Sequence, residues 1–271
     1  MIFRNRTVDW NYQTFLSTSC DSEDWDSAWN RLLPSFDLLR GLIEFTLGFG
    51  GYRLLSSDQG PRGKVPHPPW VIGKPESGNP EGTTFILQPR KRPSSPARVD
   101  ECFVKSLRSN ARSLAASDDD RSVDSLVEGI VRLYAQAMDE HHNHACLLGL
   151  WQIAESIAQP LQATGDTAKI CHRLCILGRS APFWGSGWKY SLARIADIRN
   201  DIVHDGMRGV SDPDVALLKI AVDSAIQWLY RSKDVLGTRQ HLEYFYVHAD
   251  LNNTCLGALA DAVEVIKKSR P

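Results

Sequence analysis

The chain has no long uninterrupted apolar run and no excess of charge of either sign. Its 271 residues carry 31 Lys and Arg against 32 Asp and Glu, which gives a formal net charge of −1 at pH 7. This balance excludes a polycation. Binding to nucleic acid would therefore need a local patch of basic residues rather than a positive charge over the whole surface. The longest apolar stretch, residues 38–55, contains Arg40, Glu44 and Arg53. Charges at such positions are too costly for a membrane span.

Cysteine is sparse, and the N-terminus lacks the apolar core of a signal peptide. The six cysteines are scattered through mostly apolar surroundings and form no disulfide pattern. We therefore expect reduced, packed thiols in a cytoplasmic protein without a membrane anchor.

Residues 1–100 predict a small α+β region rich in Pro and Gly. An amphipathic pattern over 27–47 predicts a helix whose start Asp24 or Asp26 could cap. Frequent prolines exclude a long helix over 56–98 and leave two strand candidates, 70–72 and 83–87, joined as a hairpin. The basic, Pro- and Ser-rich residues 88–98 are typical of an exposed linker.

Residues 101–271 predict an all-α domain, because apolar residues recur there with the period of a helix. The fold class is therefore mainly α, a helical bundle preceded by the smaller α+β region. Helices are predicted over 122–138, 147–161, 167–177 and 188–204, from Asp212-Pro213 onward, and over 239–247 and 254–268.

The most informative run is Arg199-Asn200-Asp201-Ile202-Val203-His204, followed by Asp205-Gly206. Breaking an RNA phosphodiester without a metal requires proton transfer and stabilisation of a more negative phosphorane. An imidazole such as His204 titrates near neutrality and suits the first task. The permanently charged fork of Arg199 suits the second. Asn200 could orient a phosphate or the imidazole.

Arg199, Asn200 and His204, at the end of a helix and followed by Asp-Gly, resemble the signature of the HEPN superfamily. Glu155 resembles the acidic residue of the family's earlier helix. The resemblance covers roughly residues 120–235 and is greatest to the ApeA-like branch associated with antiphage defence. It implies a HEPN-type bundle that acts as a metal-independent endoribonuclease without a cofactor. The implied products are a 2′,3′-cyclic phosphate and a 5′-hydroxyl, and the implied role is that of a toxin-like effector.

Helix geometry constrains how the two principal groups meet. Positions five apart lie roughly 140° apart around a regular helix, so Arg199 and His204 would not share a face. The helix could loosen at 203–205, with Gly206 as its left-handed cap. Alternatively, two chains could each contribute side chains to one cleft. HEPN domains pair in the second way, so the resemblance implies a homodimer with a composite active site.

The same residues are also compatible with simpler roles. Arg199 and His204 could be an ordinary helix end, and a catalytically inactive HEPN module could bind nucleotide, RNA or a protein partner. Glu155 could pair with Arg199 or lie on a surface stripe. Asp197 could pair with an arginine or tune the site, and Asp205 could simply cap the helix. A separate antitoxin or sensor partner is compatible with the sequence.

Several further patterns are assigned to structure rather than chemistry. His141, His142 and His144 lack the second cluster that a metal site needs, so a solvated helix start is favoured. Cys171 and Cys175, one turn apart, are predicted to be core thiols. Residues 60–64 lack the spacing of a phosphate loop. Arg90-Lys91-Arg92 could add salt-dependent RNA contacts, and Trp184, Trp188 and Tyr190 could stack bases, although packing is the more ordinary use.

Overall fold

The chain is mainly helical wherever its structure is described. The computed structural model describes residues 24–48, 70–73, 82–85, 101–113, 119–140, 142–161, 166–179, 187–205, 209–251 and 253–269. These ranges contain α1 (Trp25–Gly48), β1 (Trp70–Gly73), β2 (Gly82–Phe85), α2 (Glu101–Ser113), α3 (Val123–Asp139), α4 (Asn143–Ala158), α5 (Thr167–Gly178), α6 (Trp188–Asp205), α7 (Asp212–Leu236), α8 (Arg239–His248) and α9 (Asn253–Ser269).

Most helices lie where the apolar period predicts them. Helix α2 lies in the region expected to be helical but was not predicted as a separate helix, and among the predicted helices α4 shows the largest difference. It begins at Asn143 rather than 147 and ends at Ala158 rather than 161. The amide nitrogen of Asn143 donates to the Val210 carbonyl at 3.1 Å and to the Asp212 carboxylate at 2.8 Å. These contacts join residues almost 70 positions apart, so periodicity could not reveal the earlier start.

The two strands of the N-terminal region pair as an antiparallel hairpin, with Trp70 opposite Phe85 and Gly73 opposite Gly82. β1 covers the predicted 70–72 and adds Gly73, whereas β2 begins one residue before the predicted 83–87 and ends at Phe85. The connecting residues and the rest of the Pro- and Gly-rich region, including 60–64 and 88–98, lie outside the described ranges. A domain boundary at residue 100 therefore stays a prediction.

The chain divides into two compact units. The first contains Met1–Ala115, Val131–Leu150 and Gly209–Ala216, and the second contains Ala116–Ile130, Trp151–Arg208 and Leu217–Pro271. Each unit is thus built from separate stretches of sequence, and the first joins residues from both sides of position 100.

In the first unit, α1 approaches α3 closely at Gly41. A Cβ atom at Gly41 would lie 2.0 Å from the Val131 carbonyl oxygen, so only glycine fits. One turn further on, the rings of Phe45 and Tyr134 meet edge-to-face with centroids 6.3 Å apart. Asp24 caps the start of α1 by accepting from the Ser27 backbone N–H at 2.8 Å, which confirms the predicted capping role of Asp24.

Charged residues occupy part of the buried face of α1, which the apolar pattern did not predict. Asp37, Arg40 and Glu44 are each at least nine-tenths buried. Arg40 bonds Asp37 at 3.1 Å and also pairs with Asp139 of α3. Gln136 of α3 donates to the other Asp37 oxygen at 3.1 Å. Buried charges need such partners, and both contacts with α3 join residues 99 positions apart in sequence.

The close approach at Gly41 yields a stability prediction. Gly41→Ala should lower the free energy of unfolding by about 1–3 kcal/mol or more, because its methyl group would overlap the Val131 backbone. Gly129→Ala is the matched control, since nothing lies within 4 Å of its added Cβ. That change should instead stabilise α3 by up to about 1 kcal/mol through helix propensity. Urea unfolding of both variants checks this; equal effects would contradict the packing assignment.

In the second unit, the start of α3 contacts the turn between α7 and α8. The Val123 N–H donates to the Gly237 carbonyl at 3.0 Å, and the Arg239 N–H donates to the Arg121 carbonyl at 2.8 Å. Gly237 has a φ of 65°, the left-handed conformation that favours glycine directly after a helix. Lys233 of α7 bonds Asp124 of α3 at 2.6 Å.

A buried polar network ties α5 and α8 to the end of α4 in the same unit. Arg173 of α5 forms a two-bond pair with Glu243 of α8 and donates to the Ala158 carbonyl at 2.6 Å. Its guanidinium also lies 4.6 Å from the centroid of the Tyr246 ring. The Tyr246 hydroxyl donates to the Ile157 carbonyl at 2.9 Å. Side chains thereby satisfy two of the last carbonyls of α4, which have no partner within the helix.

None of the helices in the described ranges combines the length and hydropathy needed to cross a bilayer.

Candidate functional site

The residues of the Arg–His run lie on one unbroken helix. Helix α6 extends from Trp188 through Asp205. Leu192, Ile195 and Ile198 on this helix are buried, as the period predicts. The backbone does not loosen at 203–205, so the first of the two predicted ways of bringing Arg199 and His204 together is wrong. Gly206 lies outside the described residues.

Arg199 faces α4 and pairs with Glu155. Its Nη2 lies 3.3 Å from Glu155 Oε1, and the two side chains are 22% and 29% exposed. Its Nη1 donates to Asn200 Oδ1 at 3.1 Å. The Nε atom is buried and has no hydrogen-bond partner in the described part of the chain. The structure thus shows the Glu155–Arg199 pair and leaves one polar edge of the guanidinium unsatisfied.

Trp151 also holds this ion pair in place, and the sequence did not lead us to expect that role. The indole Nε1 of the buried Trp151 donates to Glu155 Oε1 at 2.7 Å. Two donors therefore converge on one carboxylate oxygen and fix its position. The signal was present in the sequence, because Trp151 and Glu155 are four residues apart and so lie on the same side of α4.

The contact with Arg199 also fixes the orientation of the Asn200 amide. A guanidinium can only donate, so the amide oxygen must face Arg199 and the NH2 group must point the other way. Among the residues whose structure is described, that NH2 group meets no acceptor. The contact with Arg199 therefore turns the two Asn200 N–H donors away from the guanidinium.

His204 lies on the exposed side of α6 and is four residues after Asn200. Residues four apart differ by only about 40° around a helix, so these two share a face. The His204 ring has no hydrogen bond or ion pair to any residue in the described ranges. Arg199 lies about 140° away from it. One chain thus brings together Glu155, Arg199 and Asn200, places Asn200 beside His204, and keeps the guanidinium apart from the imidazole.

The other two acidic candidates are not part of this network. Asp197 is exposed, and no ion pair joins it to Arg194 or Arg199 in the described ranges. The helix includes Asp205, but its side chain is outside what the structure describes.

The remaining candidates are accounted for by packing or exposure. His142 and His144 are described but His141 is not, and the described residues contain no group of three side chains arranged to hold a metal. Cys171 is buried, and burial raises the pKa of its thiol to about 12. Cys175 is half-buried, so only one of the two predicted core thiols is fully in the core.

Of the aromatic residues expected to stack bases, Tyr190 is the most open in the described part of α6. It is 78% exposed on the same side as His204. Trp188 is half-buried at the start of the helix. Trp184 and Arg90-Lys91-Arg92 lie outside the described residues.

A scan of family models and searches of curated proteins and solved structures found no significant similarity to this chain. The chemical role of the site therefore has to follow from its own residues. An imidazole open to solvent can transfer protons, and the amide donors beside it can bind an anionic oxygen. The half-buried guanidinium of Arg199 lies beside these amide donors and supplies a positive charge.

Proposed function

We propose that this chain is a HEPN-type, metal-independent endoribonuclease. One observation supports this most directly, namely that the half-buried Asn200 and the exposed His204 share a face of α6 while Arg199 donates to the Asn200 amide oxygen. The imidazole would transfer the proton, the Asn200 N–H groups would bind a phosphate oxygen, and Arg199 would add positive charge to the developing phosphorane. In this proposal the protein works in the cytoplasm and needs no cofactor.

The reaction needs two proton transfers. A base takes the proton of the 2′-hydroxyl as its oxygen attacks phosphorus, and an acid protonates the 5′-oxygen as the P–O5′ bond breaks. The products are a 2′,3′-cyclic phosphate and a 5′-hydroxyl. One chain offers a single imidazole at the site. A homodimer would offer two, one for each transfer, and would supply a second guanidinium from the opposite side.

Charge along the exposed side of α6 is compatible with such pairing. Lys189 lies near its N-terminal end, whereas Asp197 lies halfway along and Asp201 follows. If two copies of α6 approached antiparallel, the basic half of each would face the acidic half of the other. By its resemblance to the ApeA-like branch, we assign the activity to toxin-like growth arrest in antiphage defence, restrained by an antitoxin or a sensor partner.

A nuclease assay tests the proposal. Purified protein should cleave RNA in the presence of EDTA and leave 2′,3′-cyclic phosphate ends. The 3′ ends of these products should accept a label only after the phosphate is removed. Arg199→Ala and His204→Ala should each abolish cleavage, and expression of the parent but not of these variants should arrest growth. Cleavage that stops with EDTA and returns with a divalent metal would contradict a metal-independent mechanism.

The ion pair itself favours a second candidate function. Glu155 already occupies one Nη of Arg199, which lowers the capacity of the guanidinium for a phosphate. A catalytically inactive HEPN module that binds nucleotide, RNA or a protein partner would tolerate this pairing. RNA binding by the parent without cleavage, weakened by Asn200→Ala, would select this function over the enzyme.

A further inference from the structure

The Glu155 carboxylate contacts Arg199 on the part of the guanidinium that an anion from solvent would need. Arg199 Nε is buried and has no hydrogen-bond partner in the described part of the chain. An anion can therefore approach only the edge formed by Nη1 and Nη2. Nη1 already donates to Asn200 Oδ1 at 3.1 Å, and Nη2 lies 3.3 Å from Glu155 Oε1. Of these two contacts, only the one with Glu155 brings a negative charge to that edge.

A phosphate needs the same edge of the guanidinium. Arginine side chains hold phosphate oxygens through two parallel N–H bonds, and both bonds come from one edge of the plane. A phosphate placed on Nη1 and Nη2 would lie beside the Glu155 carboxylate, and like charges at such distances repel each other. The two anions therefore compete for Arg199, and a phosphate binds well only when Glu155 moves away from Nη2.

The contact between Glu155 and Arg199 is weak enough to be displaced. Its 3.3 Å separation exceeds the roughly 2.7–2.9 Å typical of charge-assisted hydrogen bonds. Within the described ranges only Oε1 of the carboxylate bonds the guanidinium, so the pair lacks two parallel bonds. Both side chains are more than a fifth exposed, and water weakens ion pairs of this kind.

Trp151 gives the carboxylate a second partner that does not depend on Arg199. Its indole Nε1 donates to Glu155 Oε1 at 2.7 Å, a shorter contact than the one from Arg199. Trp151 is fully buried, so this donor stays in place when the surface of the site changes. Glu155 can thus release the guanidinium without leaving its carboxylate unsatisfied.

We infer that Glu155 is an autoinhibitory residue, which occupies Arg199 until a phosphate of the substrate displaces it. This role rests on the proposed function, because it takes an RNA phosphate as the ligand of Arg199. A supporting role for Glu155 predicts the opposite effect, since removal of its negative charge would then weaken RNA binding. Under autoinhibition the same change strengthens RNA binding.

Glu155→Gln tests this, because the amide keeps an oxygen that accepts from Trp151 and Arg199 but carries no charge. Affinity is measured by fluorescence anisotropy with a labelled RNA oligonucleotide whose 2′-hydroxyls are methylated and which therefore cannot be cleaved. The variant should bind at least about fivefold more tightly than the parent. Glu264→Gln is the matched control, because Glu264 also forms an ion pair at 3.3 Å, with the exposed Lys267. It should change the affinity by less than about twofold.

A double-mutant cycle assigns the gain to Arg199. In an Arg199→Ala background, adding Glu155→Gln should raise the affinity by less than about twofold, because the guanidinium that it frees is absent. A gain in the parent no larger than that of Glu264→Gln, or an equal gain without Arg199, would overturn the inference. Cleavage of unmodified RNA is measured separately. Cleavage absent in the parent refutes the nuclease, whereas the affinities still decide the role of Glu155.

Discussion

His204→Ala is expected to lower the rate of RNA cleavage by about 10²- to 10⁴-fold, the usual contribution of a positioned proton-transfer group. The ring is exposed and makes no hydrogen bond within the described ranges. Its removal should therefore leave the unfolding temperature and the affinity for uncleavable 2′-deoxy substrate essentially unchanged. The measurement is a single-turnover rate with labelled RNA beside a thermal unfolding curve.

His172→Ala is the matched control for this substitution. His172 is also an exposed histidine of the second unit, and it bonds Asp250 rather than any residue of the run. Cleavage should be unaffected there. If both histidine variants lost activity equally, or if His204→Ala kept full activity, His204 would not be the proton-transfer group.

Arg199→Ala is expected to behave differently, because the guanidinium also has a structural role. Its loss leaves the half-buried Glu155 carboxylate with Trp151 as its remaining donor in the described part of the chain. Losing one of two donors to a partly exposed carboxylate should cost about 0.5–1.5 kcal/mol. Adding Glu155→Gln should recover part of that stability without recovering cleavage, which separates the structural contribution of Arg199 from the chemical one.

Arg173→Ala is expected to give the largest loss of stability, about 3–5 kcal/mol, because it removes a buried cation that bonds several groups at once. Its side chain is 7% exposed. Its removal would leave Glu243 with Lys169, 3.7 Å away, as its remaining cation, and would leave the Ala158 carbonyl and the Tyr246 ring without the guanidinium. Chemical denaturation of the full chain measures the change.

Arg179→Ala provides the comparison at the C-cap of the same helix. Arg179 also pairs with an acidic residue, Asp250, at 2.7 Å, but its side chain is 58% exposed. Water screens such a pair, so the expected cost is below about 1 kcal/mol. Similar losses in the two variants would show that burial does not set the strength of these pairs.

The same Arg173–Glu243 pair gives stability a defined dependence on pH. Hydrogen bonds from Arg173 lower the pKa of Glu243 below its ordinary value of 4.5. A carboxyl with a depressed folded-state pKa contributes its full stability above its ordinary pKa and loses it as pH falls through the folded value. Acid unfolding below pH 4.5 should therefore be steeper in the parent than in Arg173→Ala.

Local patterns predicted the helices well because each of them carries its own signal. The buried positions of α6 follow a 3.6-residue period, and Asp212-Pro213 marks the start of α7 as expected for Pro in a first turn. The buried charges of α1 and the Arg173–Glu243 pair had no such signal. Their partners lie 70 to 99 residues away, so only the tertiary structure brings them together.

The candidate site was predicted in part. Sequence reasoning named Arg199, Asn200, His204 and Glu155 and anticipated the Glu155–Arg199 pair, which needs only two helices facing each other. The residue spacing alone could not decide between a loosened helix end and pairing of two chains, because both satisfy it, and the prediction of a homodimer came from the family resemblance. The exposure of the described side chains of α9 was equally hidden, because the same apolar pattern can be covered or open to solvent.

Hydrogen bonds at the end of α4 connect α8 to the turn that carries Glu155. Tyr246 and Arg173 hold the carbonyls of Ile157 and Ala158, and Glu155 lies within the same turn. The turn that carries the Glu155 carboxylate is therefore held in place by Tyr246 and Arg173, which lie 91 and 18 residues after Glu155 in the sequence. Substitution of Tyr246 or Arg173 would therefore alter the position of Arg199 without changing any residue of the run 199–204.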